Sequence, residues 1–217
     1  MKRTDFFERT FLVMLVACLP LAAMAQWRGE SGGKKDKNTS HNDDPMVTAG
    51  IYHTGDFYKS AAGFGLGLML NAGRTSNILN GCVGVEYIEY LSGDPRPEDE
   101  RSKLPVIGAG GQIVVPAILK LQLFRTSKWT KFWIGCGVEA GFKVYESKTL
   151  KDYYPNGEAF NKNSFAIMPL IGWRMRNVDF GIYYKHYTKA PFNHSIDGHK
   201  DLGKDKARIG YHLTCYF

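Results

Sequence analysis

At 217 residues the chain suits a single domain. Its formal charge of +7 comes from lysines and arginines that recur singly among aromatics and glycines, which argues against the concentrated basic footprint of a nucleic-acid binder. The absence of any CxxC pair argues against a zinc site.

The first segment reads as a targeting signal. Lys2, Arg3 and Arg9 give a positive start, and Phe11 to Ala23 is an apolar run broken only by Cys18 and Pro20. Ala23-Met24-Ala25 places small residues at the cleavage-determining positions, so residues 1–25 are expected to be a secretory signal peptide cleaved before Gln26. A membrane anchor is the alternative, but the run falls short of the ~20 residues a spanning helix needs. A second alternative is a lipobox at Leu15-Val16-Ala17-Cys18, which would acylate Cys18; against it, the apolar character continues past the cysteine. Either route exports the chain. Cys82, Cys136 and Cys215 then remain, an odd number on distant segments that does not resemble a disulfide framework.

Residues 26–45 are polar and glycine-rich, with Trp27 their only large apolar side chain. Such a segment cannot bury enough surface to offset its ordering entropy, so a linker is expected there.

From Met46 onward, eight stretches alternate with period two. Val47 to Thr54 has the weakest pattern. In Ala62 to Ala72, Phe64, Leu66, Leu68 and Leu70 oppose Gly63, Gly65 and Gly67. Leu79 to Leu91 is regular through Tyr87 and blurred beyond. Ile113 to Leu123 has Gln112, Lys120 and Gln122 on its polar face. Phe132 to Val144 is the clearest: Ile134, Cys136, Val138 and Phe142 share one face, and Trp133, Gly135, Gly137, Glu139, Gly141 and Lys143 the other. A helix would mix these sets. Phe165 to Met175 and Val178 to Tyr184 flank Arg176-Asn177, which predicts a tight hairpin with Asn177 suited to the left-handed conformation. Ala207 to Phe217 closes the series.

The connections alternate as well. Those near Gly73-Asn77, Arg125-Thr130 and Arg176-Asn177 are short; those near Ser92-Gly110, Ser147-Asn163 and Lys189-Lys206 are long and polar. The first, near Gly55-Ser60, is short where the rule would make it long. Bacterial outer-membrane barrels have even strand numbers, short periplasmic turns and long outer loops. The predicted fold is therefore an all-β antiparallel transmembrane barrel of about eight strands over residues 46–217, with both termini periplasmic.

Alternation alone does not separate a membrane barrel from a soluble one with its apolar face inward. Apolar-out is favoured by the glycines crowding the polar face, because a narrow interior needs small residues to admit its few large ones. It is favoured too by the mixed signs on that face: Glu86, Lys120, Glu139, Lys143, Arg174, Asp179, Lys185 and Arg208. Buried charges persist only when paired, so these predict a mixed-sign lumen network. Aromatics mark both ends, Phe124, Phe132, Trp173, Phe180 and Phe217 at the short-turn end and Tyr87, Phe142, Tyr145, Phe165, Tyr184 and Tyr187 near the long loops, as interfacial girdles would.

The run Gly111-Gln112-Ile113-Val114-Val115-Pro116-Ala117-Ile118-Leu119-Lys120-Leu121-Gln122-Leu123-Phe124, a short basic turn, and Phe132-Trp133-Ile134-Gly135-Cys136-Gly137 together resemble the PorT-like outer-membrane β-barrel proteins. The terminal Phe217 and the alternate Leu213, Tyr211 and Ile209 resemble that family's C-terminal barrel-assembly signal; Cys215 departs from its larger apolar residue. The resemblance implies an eight-stranded barrel, similar to the OmpA/OmpX type, inserted by the barrel-assembly machinery. Some members assist protein secretion and gliding, which would make secretion-system proteins partners.

Candidate chemistry is sparse. His194-Ser195 with Asp197 and His199 evokes a catalytic set, but no GxSxG elbow accompanies it. Asp94, Glu98, Asp99 and Glu100 lack calcium-loop spacing and alternate with Arg96, Arg101 and prolines. His53, His186 and His212 are solitary, and Gly63 to Gly67 is no phosphate loop. No catalytic residue, cofactor or metal is expected. The expected role is a non-enzymatic structural or binding barrel, plugged by side chains, that meets outer-membrane lipids and lipopolysaccharide. A lipid-modifying enzyme and an accessory subunit of a secretion apparatus are the alternatives.

Overall fold

The computed structural model describes residues 47–57, 61–73, 78–93, 106–125, 130–153, 160–192 and 207–217. The predicted signal peptide and linker, including Cys18, lie outside the described residues. So do the acidic set Asp94–Glu100 and the set at His194, Ser195, Asp197 and His199.

The described elements are β1 (Val47–Phe57), β2 (Ala61–Ala72), β3 (Leu79–Gly93), β4 (Val106–Arg125), β5 (Thr130–Glu146), the six-residue helix α1 (Lys148–Tyr153), β6 (Asn163–Met175), β7 (Val178–Lys189) and β8 (Ala207–Tyr216). Every strand runs antiparallel to the one before it, and β1 also pairs with β8, from Gly50↔Tyr216 to Phe57↔Ile209. The eight strands therefore form a closed antiparallel barrel, which leaves no unpaired edge.

Period-two alternation puts alternate residues on opposite sides of the wall, and the wall is inverted relative to a soluble protein. Leu66, Leu68, Val138 and Ile209 face outward, at 61, 58, 44 and 60 % exposure, while Glu86, Glu139, Asp179 and Lys185 point into the lumen at 1–2 %. Ile209, Tyr211 and Leu213 share the outward face of β8, and Phe217, just past its end, is exposed. The lumen holds two apolar clusters. Ile88, Tyr90, Ala109, Val114, Phe160 and Phe192 lie at the long-loop end; Tyr52, Met69, Cys82, Ile118, Trp133, Met168, Leu170 and Tyr183 lie below them. Among the described residues, no helix is long and apolar enough to cross a membrane, a fact that does not bear on crossing by strands.

Glycine is required where a lumen wall is crossed by a neighbour. A Cβ on Gly67 would run into the Val85 carbonyl oxygen, and one on Gly172 into that of Phe180.

The structure corrects several boundaries. β1 continues to Phe57, which carries Asp56 into the lumen; the sequence places a link there because Gly55 and Asp56 are turn formers. β4 begins at Val106 rather than Ile113, since Gly108, Gly110 and Gly111 have no side chains to display alternation and their strand character comes from pairing with β3. α1 occupies part of the predicted 147–163 loop and is too short for a helical period to register. In the β6–β7 hairpin, where Met175 pairs with Val178, the positive φ (52°) falls on Arg176 and not on Asn177. Tyr187 leaves the outer girdle: it is two residues from Lys185, shares its face, and is buried in the lumen. The other ten girdle aromatics face outward, with Phe124 stacked on Phe132 and Trp173 tilted against Phe180 at 5.0 Å in both pairs.

Candidate functional site

The polar lumen is the candidate site, and it is built in three tiers. The lowest, towards the short turns, centres on Asp179 of β7. Its Oδ2 accepts from Lys120 Nζ at 2.7 Å and its Oδ1 from Trp133 Nε1 at 2.8 Å. The ammonium also lies 4.6 Å from the Trp133 ring centroid. His212 stacks almost parallel on the Trp133 ring, with centroids 5.5 Å apart and planes 3° from coincident. Glycine at 172 and 181 leaves the space that the indole fills: a Cβ at Gly181 would stand 2.7 Å from Trp133 Cη2 and 2.8 Å from His212 Cε1. Cys82 donates to Asn71 Oδ1 at 3.2 Å, and Arg174 closes the tier by lying 4.4 Å over the Tyr216 ring.

The middle tier centres on Lys185. Its Nζ lies 2.7 Å from Glu139 Oε2 and 3.2 Å from Asp56 Oδ2, with all three side chains at most 3 % exposed. Tyr183 donates its hydroxyl to Asp56 Oδ1, and the Lys185 ammonium sits 4.8 Å from the Tyr183 ring centroid. Two carboxylates around one ammonium, backed by a phenol, satisfy a cation that water would otherwise have to hydrate. On the facing wall, Glu86 accepts from Thr54 at 2.8 Å.

The upper tier is aromatic. Arg208 holds its guanidinium 5.0 to 5.7 Å from the rings of Phe192, Tyr90 and Tyr187, a cation–π arrangement. Phe160 and Phe192 bridge two connections across the barrel mouth, with ring centroids 4.4 Å apart. Asn161 secures the bridge by donating from its backbone N–H to Pro191 and from its side chain to Ala190, both at 2.8 Å. Lys143 donates to Glu146 and to the Phe160 carbonyl oxygen, both at 3.3 Å.

The eight charges singled out from sequence all belong to lumen-facing positions and are spread over the three tiers. Lys120 with Asp179 and Lys185 with Glu139 are brought into ion pairs. Glu86 meets a hydroxyl, Arg208 meets aromatic faces, and Lys143 and Arg174 stand half-buried at opposite ends. Asp56, Tyr183 and the polar edge of Trp133 complete the tiers and went unrecognised in the sequence; Trp133 was legible only as a residue on the glycine-bearing face. The solitary histidines separate. His212 is buried in the lumen and His186 is exposed on the outer wall. His53 also faces outward and clasps the closing seam: its Nδ1–H donates to the Gly65 carbonyl at 2.6 Å, so its Nε2 accepts from the Tyr211 hydroxyl at 3.0 Å.

No group of three or more histidine, cysteine or acidic side chains is arranged for a metal ion among the described residues. Cys82 lies in the lumen and Cys136 and Cys215 on the outer wall, none of them in a disulfide. Chemically, the arrangement pairs Lys120 with Asp179, and Lys185 with Asp56 and Glu139, inside the lumen.

Searches against family models and against curated proteins found no match to the chain. The class of protein that the fold defines is an eight-stranded, antiparallel, closed β-barrel, consistent with the OmpA/OmpX type.

Proposed function

We propose that the chain is an outer-membrane β-barrel protein with a plugged lumen, acting as a structural or binding scaffold rather than as a channel or enzyme. The observation that carries this reading is the inverted wall. A soluble protein seldom exposes a contiguous apolar patch above a few hundred Å², whereas here the outward residues of the strands are predominantly apolar and most of the charged side chains face in. Strands of 10 to 20 residues also meet the length for a tilted crossing, which needs about 9–11. The long-loop end, roofed by Phe160 and Phe192, is the surface offered to a ligand or partner. The resemblance to PorT-like proteins, carried by the Gly111–Phe124 run and the glycine-bearing strand after it, would place this end outside the cell and both termini in the periplasm.

The test has two parts. Membrane fractionation of cells making the full chain should recover it with the outer membrane, and recovery as a soluble periplasmic protein overturns the reading. Planar-bilayer recordings should show no steady conductance, because side chains fill an eight-stranded interior. A stable ohmic conductance would move the protein into the channel class.

A further inference from the structure

Glu89 is a carboxylate on the wrong side of the wall. Its neighbours Ile88 and Tyr90 are buried in the lumen, and it shares the outward face of β3 with Val85 and Tyr87. An acidic group facing lipid is unfavourable unless something holds it, and here the fold is shaped to do so. Two breaks in strand register meet beside it. One lies between Tyr90 and Leu91, opposite Gly110 and Gly108; the other lies at Gly111/Gln112, opposite Tyr145 and Lys143. Bulges re-aim side chains, and the second break turns both Val144 and Tyr145 outward.

Tyr145 therefore donates its hydroxyl to Glu89 Oε1, while Tyr87 donates to Oε2 at 2.5 Å. Gly111 makes this possible: a Cβ there would collide with the Tyr87 hydroxyl and stand 2.8 Å from Tyr145 Cε1, so only glycine lets both rings lie across β4. At Gly108 the wall is open instead. A Cβ would meet only Glu89 Oε1 at 3.3 Å and the Tyr145 hydroxyl at 3.9 Å. The result is a notch with a fixed carboxylate, two aromatic walls and one open side, directly above the apolar belt at Val85, Ile113 and Phe142.

An ionised carboxylate has about four lone-pair sites, and the two phenols occupy two of them. What remains accepts hydrogen bonds and carries negative charge, and the flanking ring faces attract cations. We propose that Tyr87, Glu89 and Tyr145 form a membrane-facing site for the primary ammonium headgroup of an amphiphile, whose chains lie along Val85, Ile113 and Phe142. The site rests on the membrane reading above, and its position next to the belt selects a lipid over a free amine.

The full chain is inserted into vesicles of equal parts phosphatidylethanolamine and phosphatidylglycerol, extracted in mild detergent, and its retained lipids are counted by native mass spectrometry. The wild type should retain the ethanolamine lipid about tenfold or more over the glycerol lipid, the ratio one charge-assisted hydrogen bond supplies. Glu89→Gln should bring that ratio to about one. Gly108→Val, which fills the open side and retains the carboxylate, should lower it likewise and serves if the first variant does not fold. A wild type without preference, or a Gly108→Val protein that keeps it, overturns the site while leaving the membrane reading intact. Failure of the wild type to insert into vesicles overturns both.

Discussion

Lys185→Met removes the ammonium at the centre of the lumen while keeping an unbranched side chain of similar length. In the wild type that ammonium lies 2.7 Å from Glu139 and 3.2 Å from Asp56, and the three side chains are 1 to 3 % exposed. The variant leaves two buried carboxylates without the ammonium that both contact. Breaking one buried pair from one side typically costs ~3–5 kcal/mol, and here a single substitution orphans two acids, so the upper half of that range is expected. Asp56 keeps the Tyr183 hydroxyl, which limits the loss on that side. Unfolding by urea in lipid vesicles, followed by tryptophan fluorescence, measures the change. The triple variant Lys185→Met/Asp56→Asn/Glu139→Gln removes all three charges, and the amide introduced in place of the Asp56 carboxylate still accepts from Tyr183. It should therefore recover much of the lost stability, because an uncharged filling of similar volume is often no worse than an ion pair. A loss below about 1 kcal/mol for the single variant, the range of solvent-exposed pairs, would refute the burial argument. So would a triple variant no more stable than the single one.

Other perturbations test the wall. Arginine at Leu68, Val138 or Ile209, all outward and more than 40 % exposed, should block assembly into membranes, since a lipid-facing arginine near midplane costs ~2–4 kcal/mol; Gln122→Arg, on the lumen face, should be tolerated, and heat-modifiable gel migration of the folded protein compares them. Gly67→Ala drives a methyl into the Val85 carbonyl and should lose ~1–3 kcal/mol or more as an overpacked site, whereas Gly81→Ala, with nothing within 4 Å, should be neutral in the same urea assay. Arg176→Gly should raise stability by roughly 0.5 kcal/mol, because φ = 52° is a conformation glycine adopts without a Cβ penalty; a decrease would mean that the Arg176 side chain outweighs its backbone.

Much of the barrel was legible in the sequence because alternation is a local property. Each strand of this wall separates its two environments at every second residue, so Phe132–Val144 announces its own faces without reference to any neighbour, and glycine crowding on one of them identifies the narrow interior. The eight lumen charges could be placed on a face for the same reason. Their partners could not, because pairing depends on register between strands distant in sequence: Lys120 meets Asp179 across 59 residues and Lys185 meets Asp56 across 129. Asp56 itself was invisible as a lumen residue, since only pairing with Gly63 on one side and Gly210 on the other extends β1 that far. Likewise Glu89 and Tyr145 came together only through register breaks. One inserted residue reverses every side chain beyond it, and nothing in the Gly108–Gly111 run reveals where the insertion falls. Periodicity within a strand thus determined which way side chains face, and closure of the sheet alone decided what each of them meets.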